Sequence, residues 1–345
     1  MNRAATIALT PLSWLYGAAM KARAALYRRG SLQSFAVAAP TISVGNLTTG
    51  GTGKTPMVAW ISRRLADKGL SVCVLTRGYG RPNPAQRLLV SDGRQIFTDA
   101  SQAGDEALML ANYLIGQAAV ICDADRVAAA GWAIENLNSN VFVLDDAFQN
   151  LRIHRDLNIV TIDATRPWPA QRVLPAGNLR EPAQALERAD CIVLTRYDQT
   201  QHADIASQIE QATSALVLKS RMKIMGIRPL KQEANAPSLK AVAAFCAVGN
   251  PEAMFENLRH EKFDVRHTIA FRDHYQYSQN DIDKICRAAI AAGAESLITT
   301  AKDAVKLQSF RFDLPCYVLE VEIEIENDKR LLQLIDEALL KKQNK

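Results

Sequence analysis

Residues Ser43 to Pro56 read SVGNLTTGGTGKTP. The apolar run Thr41–Val44 before them has the character of a short buried strand. The stretch Pro56–Lys68 after them carries helical periodicity. A glycine-rich turn between strand and helix, closed by Gly53, Lys54 and Thr55, is built to cradle phosphates. Backbone N–H groups of Thr48, Thr49, Gly50, Gly51, Thr52 and Gly53 would point inward. Lys54 would reach the β- and γ-phosphates of ATP, and the Thr55 hydroxyl would hold Mg²⁺. The strict pattern G-x-x-x-x-G-K-[ST] asks for glycine where Thr48 stands, so it fails by one residue. Pro56 is tolerated because the first-turn N–H groups of a helix have no helical partner.

Outward from this loop the same alternation continues. Strand candidates are Ser71–Thr76, Ala119–Cys122, Val141–Leu144, Asn158–Ile162 and Cys191–Thr195, with helical patterns at Asp105–Leu114 and Arg126–Asn136. Strand–helix repetition predicts an α/β fold, a parallel sheet flanked by helices, with ligands at the carboxyl ends of the strands. Residues 231–240 are polar, contain a proline and read as a linker or loop. Beyond it, strand candidates Ala241–Val248, Leu297–Thr300 and Cys316–Val321, with a helix over Asn280–Ala292, predict a second, smaller α/β domain. The expected organisation is an N-terminal amphipathic helix (1–35), a phosphate-loop domain (36–228), the smaller domain (229–325) and a C-terminal helix (326–345) packing back on the phosphate-loop domain.

Composition sets the outer limits. The chain has 345 residues, 48% hydrophobic and 22% charged, which describes an ordinary globular protein with a large core. A net charge of +5 is too mild to indicate a nucleic-acid binder and fits an anionic ligand or membrane surface. The six cysteines form no C-x-x-C pair, which suits a reduced, cytoplasm-facing protein. From Ala4 to Met20 there is no charge, and Arg3, Lys21, Arg23, Arg28 and Arg29 flank the stretch. It is shorter than the ~20 apolar residues of a membrane span. Leu12, Leu15, Tyr16, Ala19, Ala22 and Leu26 recur at helical spacing. Two readings stay open: a helix lying on an anionic leaflet, or one packing on the protein's own core.

Several side chains are candidates for chemistry. The strand Val141–Leu144 runs into Asp145 and Asp146, where such proteins complete a Mg²⁺ site; the pair could also cap a turn. Asp105 and Glu106 open a helix, as catalytic groups or as dipole-complementing ones. His274, in the string FRDHYQY, is a catalytic candidate or a solvated histidine. Arg77 and Tyr79 in RGYGR, and Arg180 in LPAGNLREP, lie in glycine- or proline-bounded loops where an open sheet binds ligands, or are simply exposed there.

Taken together, the strings GNLTTGGTGKTP, LTRGYG, GDEALMLA, LDDAFQNLRIHRDLNIVTID, LPAGNLREP, FCAVGNPEAMF, FRDHYQY and TTAKDAVKL resemble the tetraacyldisaccharide 4′-kinase family, from about Ser43 to Leu307. Thr48 in place of glycine is shared with that family. The resemblance implies transfer of the γ-phosphoryl group of ATP to the 4′-hydroxyl of a tetraacyldisaccharide 1-phosphate. It also implies a catalytic set of Asp105 as base, His274 assisting it and Lys54. Thr55, Glu106, Asp145 and Asp146 would surround Mg²⁺, and Tyr79, Arg77, Arg180 and Glu181 would meet the lipid substrate. The partners implied are that lipid and an anionic membrane surface, with no nucleic acid and no protein partner. The location implied is the cytoplasmic face of the bacterial inner membrane, peripheral or monotopic. Three departures from the family strings stand out: Ala147 for glycine, Asn150 for histidine and Tyr275 for the second histidine of DHH. The rival readings are a membrane-associated ATPase switch, against which Thr49 stands where a second loop lysine would be, and a homologue that binds nucleotide or lipid without phosphorylating it.

Overall fold

The computed structural model describes residues 3–167, 172–202, 204–231 and 241–343. The predicted linker at 231–240 lies, but for Lys231, outside the described residues. The first half carries α1 (Arg3–Arg28), β1 (Thr41–Gly45), α2 (Lys54–Asp67), β2 (Val72–Thr76), β3 (Leu88–Ser91), α3 (Ala100–Ala103), α4 (Asp105–Tyr113), β4 (Ala118–Cys122), α5 (Arg126–Leu137) and β5 (Val141–Asp145). Then come β6 (Leu157–Asp163), β7 (Cys191–Thr195), α6 (Ile205–Ala212), β8 (Leu216–Pro229), β9 (Val242–Cys246), α7 (Pro251–His260) and β10 (Val265–Ala270). The chain closes with α8 (Gln279–Ala291), β11 (Ser296–Thr300), α9 (Ala301–Leu307), β12 (Cys316–Ile325) and α10 (Asp328–Gln343).

The described strands form one sheet in the order β10-β9-β11-β12-β8-β7-β6-β1-β5-β2-β4-β3. Strands β1, β2, β4, β5 and β7 are buried along their whole length, as helices on both faces require. Their side chains alternate between faces. Val141 and Val143 of β5 join Ile42, Met57 and Leu65 on the α2 side. Phe142 and Leu144 join Ala129 and Ala133 of α5 on the other. Leu331 and Ile335 of α10 enter the α2-side core.

Strand β8 joins the two halves. Leu216–Lys219 pair in parallel with β7, and Ser220–Pro229 pair antiparallel with β12. Because β12 opposes β8, the parallel group β12, β11, β9 and β10 runs against the group containing β1. The carboxyl ends of the two groups therefore face each other. Strand β8 escapes sequence reading because it is half-exposed and polar, with Arg221 and Lys223 meeting Glu324 across the ladder. The edge strands β3 and β10 are likewise short and only partly buried.

Helix α1 packs on the protein along one face and leaves apolar side chains exposed on another. One face packs on the loop before β7: Ser13 Oγ accepts from Ala176 N at 2.8 Å, and Tyr16 Oη donates to Arg180 O at 2.9 Å. The other leaves Leu12, Trp14 and Leu15 exposed, at 54%, 73% and 70% of their surface. Among the described residues no helix is long and apolar enough to cross a membrane.

Candidate active site

The loop between β1 and α2 is held from several sides. Asn46 Nδ2 donates to Thr52 Oγ1 at 3.0 Å, and that hydroxyl meets Thr161 Oγ1 at 2.8 Å. Thr195 Oγ1 donates to Thr52 O at 3.0 Å, and Arg196 Nη1 to Gly51 O at 3.1 Å. Gly50 and Gly53 take left-handed backbone (φ 117° and 83°), but Thr48 does not. Thr48 instead makes a strand-like bridge to Leu179. A side chain is therefore tolerated where the strict pattern wants glycine.

At the end of β5, Asp145 is fully buried. Its Oδ2 accepts from Thr76 Oγ1 at 3.0 Å, while Oδ1 has no hydrogen-bond partner. Burial, with Glu106 and Asp146 adding, pushes its carboxyl up to about 7. Asp146 turns into the left-handed region (φ 49°), an unusual conformation for a non-glycine residue that concentrates at functional sites. Its two oxygens lie 2.8 Å from Arg180 Nη1, and Lys54 Nζ is 3.5 Å away. Burial raises the Asp146 carboxyl, but Lys54 and Arg180 outweigh it and hold it below the usual range.

Asp105 is the first residue of α4 and does not cap it; Gly104 occupies that position. Only glycine fits there, since φ is 82° and a Cβ would lie 2.5 Å from Tyr79 O. The Asp105 carboxylate is buried, with Oδ2 3.5 Å from His274 Nδ1 and 3.4 Å from Lys306 Nζ. Burial raises this carboxyl, but His274 and Lys306 prevail and keep it below the ordinary carboxylate value. His274 also has left-handed backbone (φ 59°), and its ring sits 5.7 Å from that of Tyr79. Glu106 Oε1 lies 3.8 Å from His274 Nε2 and 3.2 Å from Lys302 Nζ.

The phosphate loop, Tyr79, Glu106, Asp146, Arg180 and His274 border one cleft of about 590 Å³. Residues 49–56, Glu106, Asp146, Arg180, His274 and Lys302 line its polar part; Met222, Met254, Leu319 and Val321 line an apolar wall. A second hollow of about 710 Å³ is bordered by Asp105. His274 and Tyr79 border both.

Residues 5–340 match the family model described as tetraacyldisaccharide-1-P 4′-kinase. The chain belongs to that family. It is 40% identical to the tetraacyldisaccharide 4′-kinase of Geobacter metallireducens, across 98% of this chain and all of that protein. The enzyme of the same name from Geobacter sulfurreducens is 41% identical, over 94% of this chain and 91% of that one. Among solved structures, "apo" form LpxK from Aquifex aeolicus in complex with ATP superposes with a TM-score of 0.80 at 31% identity, covering 97% and 99% of the two chains.

The remaining expected site residues of this kinase are placed unevenly. Arg77 is exposed and does not line the cleft. Glu181 is buried and turned onto Arg188, 2.8 Å away, whose guanidinium lies over Phe148. Ala147 is buried with unremarkable backbone; the left-handed position is Asp146 before it. Asn150 accepts from Arg152 N at 3.3 Å. Tyr275 stacks on Phe271 and donates to Asp281 at 3.3 Å, with its side chain against the core formed by Phe245, Tyr277 and Ile282. Sequence reading missed Lys302, Lys306, Arg196 and Asn250. Asn250 Nδ2 and Arg196 Nη1 both donate to Asp163 Oδ2, at 3.1 and 2.7 Å, beside the phosphate loop. A signal existed for the lysines: TTAKDAVKL follows β11 at a carboxyl strand end.

Proposed function

We propose that the cleft bounded by Lys54 and His274, where it meets the hollow bordered by Asp105, is where this kinase moves the γ-phosphoryl group of ATP to the 4′-hydroxyl of a tetraacyldisaccharide 1-phosphate. The product is the bis-phosphorylated lipid A precursor. The observation that carries this assignment is that a phosphate loop and a buried carboxylate–histidine pair border adjoining hollows that meet at His274 and Tyr79.

The backbone of residues 49–53 would cradle the phosphates, with Lys54 Nζ on the β- and γ-oxygens. The apolar wall around Met222 and Met254 suits the adenine ring. Among the described residues no three histidine, cysteine or acidic side chains form a self-contained metal cage, but Mg²⁺ typically takes one or two carboxylates and completes its shell with phosphates and water. The partnerless Asp145 Oδ1 is a suitable donor. Thr55, Glu106 and Asp146 complete the candidate set, although Asp146 is already engaged by Lys54 and Arg180. When bound, the ion would neutralise charge on the β- and γ-phosphate oxygens. The 4′-oxygen attacks the γ-phosphorus as the bond to the β,γ-bridging oxygen breaks, and that electron pair leaves with ADP. Asp105 takes the hydroxyl proton, and His274 orients and supports it. Tyr79 and Arg180 would position the lipid headgroup, and Arg77, which lines neither hollow, is left out of that set. Glu181 would act through Arg188, by holding the Arg180 loop.

A four-chain lipid stays in its bilayer, each buried CH₂ contributing about 0.8 kcal/mol. The exposed face of α1 supports docking on an anionic membrane, and the need for ATP supports the cytoplasmic side of the inner membrane. A transfer assay with γ-labelled ATP, Mg²⁺ and the disaccharide lipid tests the assignment. Label should appear in the lipid and be lost in Lys54→Met. Release of inorganic phosphate with no labelled lipid would favour an ATPase switch instead.

A further inference from the structure

Four lysine or arginine side chains line the cleft among the described residues: Lys54, Arg180, Arg196 and Lys302. Lys54 and Arg180 hold Asp146 beside the phosphate loop. Arg196 ties Asp163 to Gly51. Lys302 reaches in from the opposite wall, from the first turn of α9. Its Nζ lies 2.9 Å from Asp273 Oδ1, 3.2 Å from Glu106 Oε1 and 3.2 Å from His274 Nε2.

Burial alone would favour the neutral amine, but Glu106 and Asp273 more than offset it and hold Lys302 in the charged form. A lysine so placed could merely clasp α9 to α4. That clasp already exists one turn later. Lys306, with its side chain 4% exposed, bridges Asp105 at 3.4 Å and the buried Asp303 at 3.2 Å, and donates to Tyr275 O at 3.1 Å. Lys302 differs because it and all three of its partners line the cleft.

Resting on the kinase reading, we infer that Lys302 is a further catalytic residue: its ammonium moves from Glu106 and Asp273 onto a non-bridging oxygen of the transferring phosphoryl group. As the bond from the 4′-oxygen to phosphorus forms and the bond to the ADP oxygen breaks, charge spreads over the phosphoryl oxygens. Lys54 meets that charge from the nucleotide side. Asp105, on the acceptor side, brings a negative charge of its own. Lys302 supplies the compensating cation there and keeps its proton throughout.

The test uses the full-length kinase with Lys302→Met, of similar length without charge, and Lys302→Arg. Three quantities are measured: lipid labelling from γ-labelled ATP, calorimetric affinity for Mg-ATP, and affinity for ADP with aluminium fluoride in the presence of the lipid. Lys302→Met should lower kcat about 10²–10³-fold, as removal of one transition-state donor does elsewhere. Its Mg-ATP affinity should stay within about threefold, while affinity for the fluoride complex falls in step with kcat. Lys302→Arg should recover at least about tenfold of the lost rate. A kcat within about fivefold of wild type would overturn the role, as would equal losses of ATP and fluoride-complex affinity, the mark of a structural clasp. Absence of labelled lipid with the wild-type enzyme would overturn the kinase reading itself, and this role with it.

Discussion

His274 Nδ1 lies 3.5 Å from Asp105 Oδ2, joining the loop after β10 to the first residue of α4. The pair exists only because the reversed direction of β12 turns the carboxyl ends of the two strand groups toward each other. Asp105→Asn keeps the shape and removes the proton acceptor, so transfer should fall about 10²–10⁴-fold with Mg-ATP affinity little changed. Near-normal lipid labelling in that variant would remove Asp105 from the role of base. His274 and Lys306 hold the Asp105 carboxyl low, so the base stays ionised through neutral pH. The acid limb that Asp105 contributes to kcat/KM should move upward in His274→Ala.

Asp145 should make the metal-free protein less stable as pH rises. Its folded pKa, pushed up to about 7, exceeds the ordinary aspartate value of 3.8. Between these values the folded form holds a proton that the unfolded chain releases. Stability is therefore fully present below the lower value and declines up to the higher one. In EDTA, the unfolding free energies of wild type and Asp145→Asn should diverge across this window, by at most about 4 kcal/mol in favour of the variant at its upper end. Parallel curves would show that Asp145 ionises without penalty.

Gly104→Ala should damage catalysis through geometry alone. The new Cβ would meet Tyr79 O at 2.5 Å in left-handed backbone, a strain of about 1–3 kcal/mol. The chain must shift at the residue that precedes Asp105. The expected result is a lower melting temperature and a fall in kcat larger than any change in Mg-ATP affinity. Unaltered kcat would mean that the α4 start tolerates movement.

The outer face of α1 can be separated from its inner one. Leu12→Ser, Trp14→Ser and Leu15→Ser together remove exposed apolar surface, so binding to anionic vesicles should weaken at least about tenfold with little change in melting temperature. Tyr16→Phe removes the hydrogen bond to Arg180 O and should instead cost about 1 kcal/mol of stability. Vesicle binding unaffected by the triple change would make the exposed face irrelevant to membrane docking.

The phosphate loop, the parallel strands and the helices between them were legible from sequence because their signals are local. Fully buried strands such as Val141–Asp145 read as apolar runs, and a loop of Gly50, Gly51 and Gly53 before Lys54 admits few conformations. Local patterns make Lys54, Asp105, Asp146 and His274 candidates, but their roles come from strings resembling a family and not from any contact. Strand β8 was invisible because Arg221, Lys223 and Arg228 find their acidic partners across the ladder, on β12.

What the sequence determined by itself was therefore the nucleotide loop, the α/β class and the family. Tertiary structure alone decided which charged side chains meet. It turned Glu181 onto Arg188, left Arg77 exposed, and brought Lys302 and Lys306 from α9 onto the carboxylates that open α4. Backbone preference and apolar periodicity act over a few residues, whereas an ion pair depends on where distant elements are carried by the packing of the whole sheet.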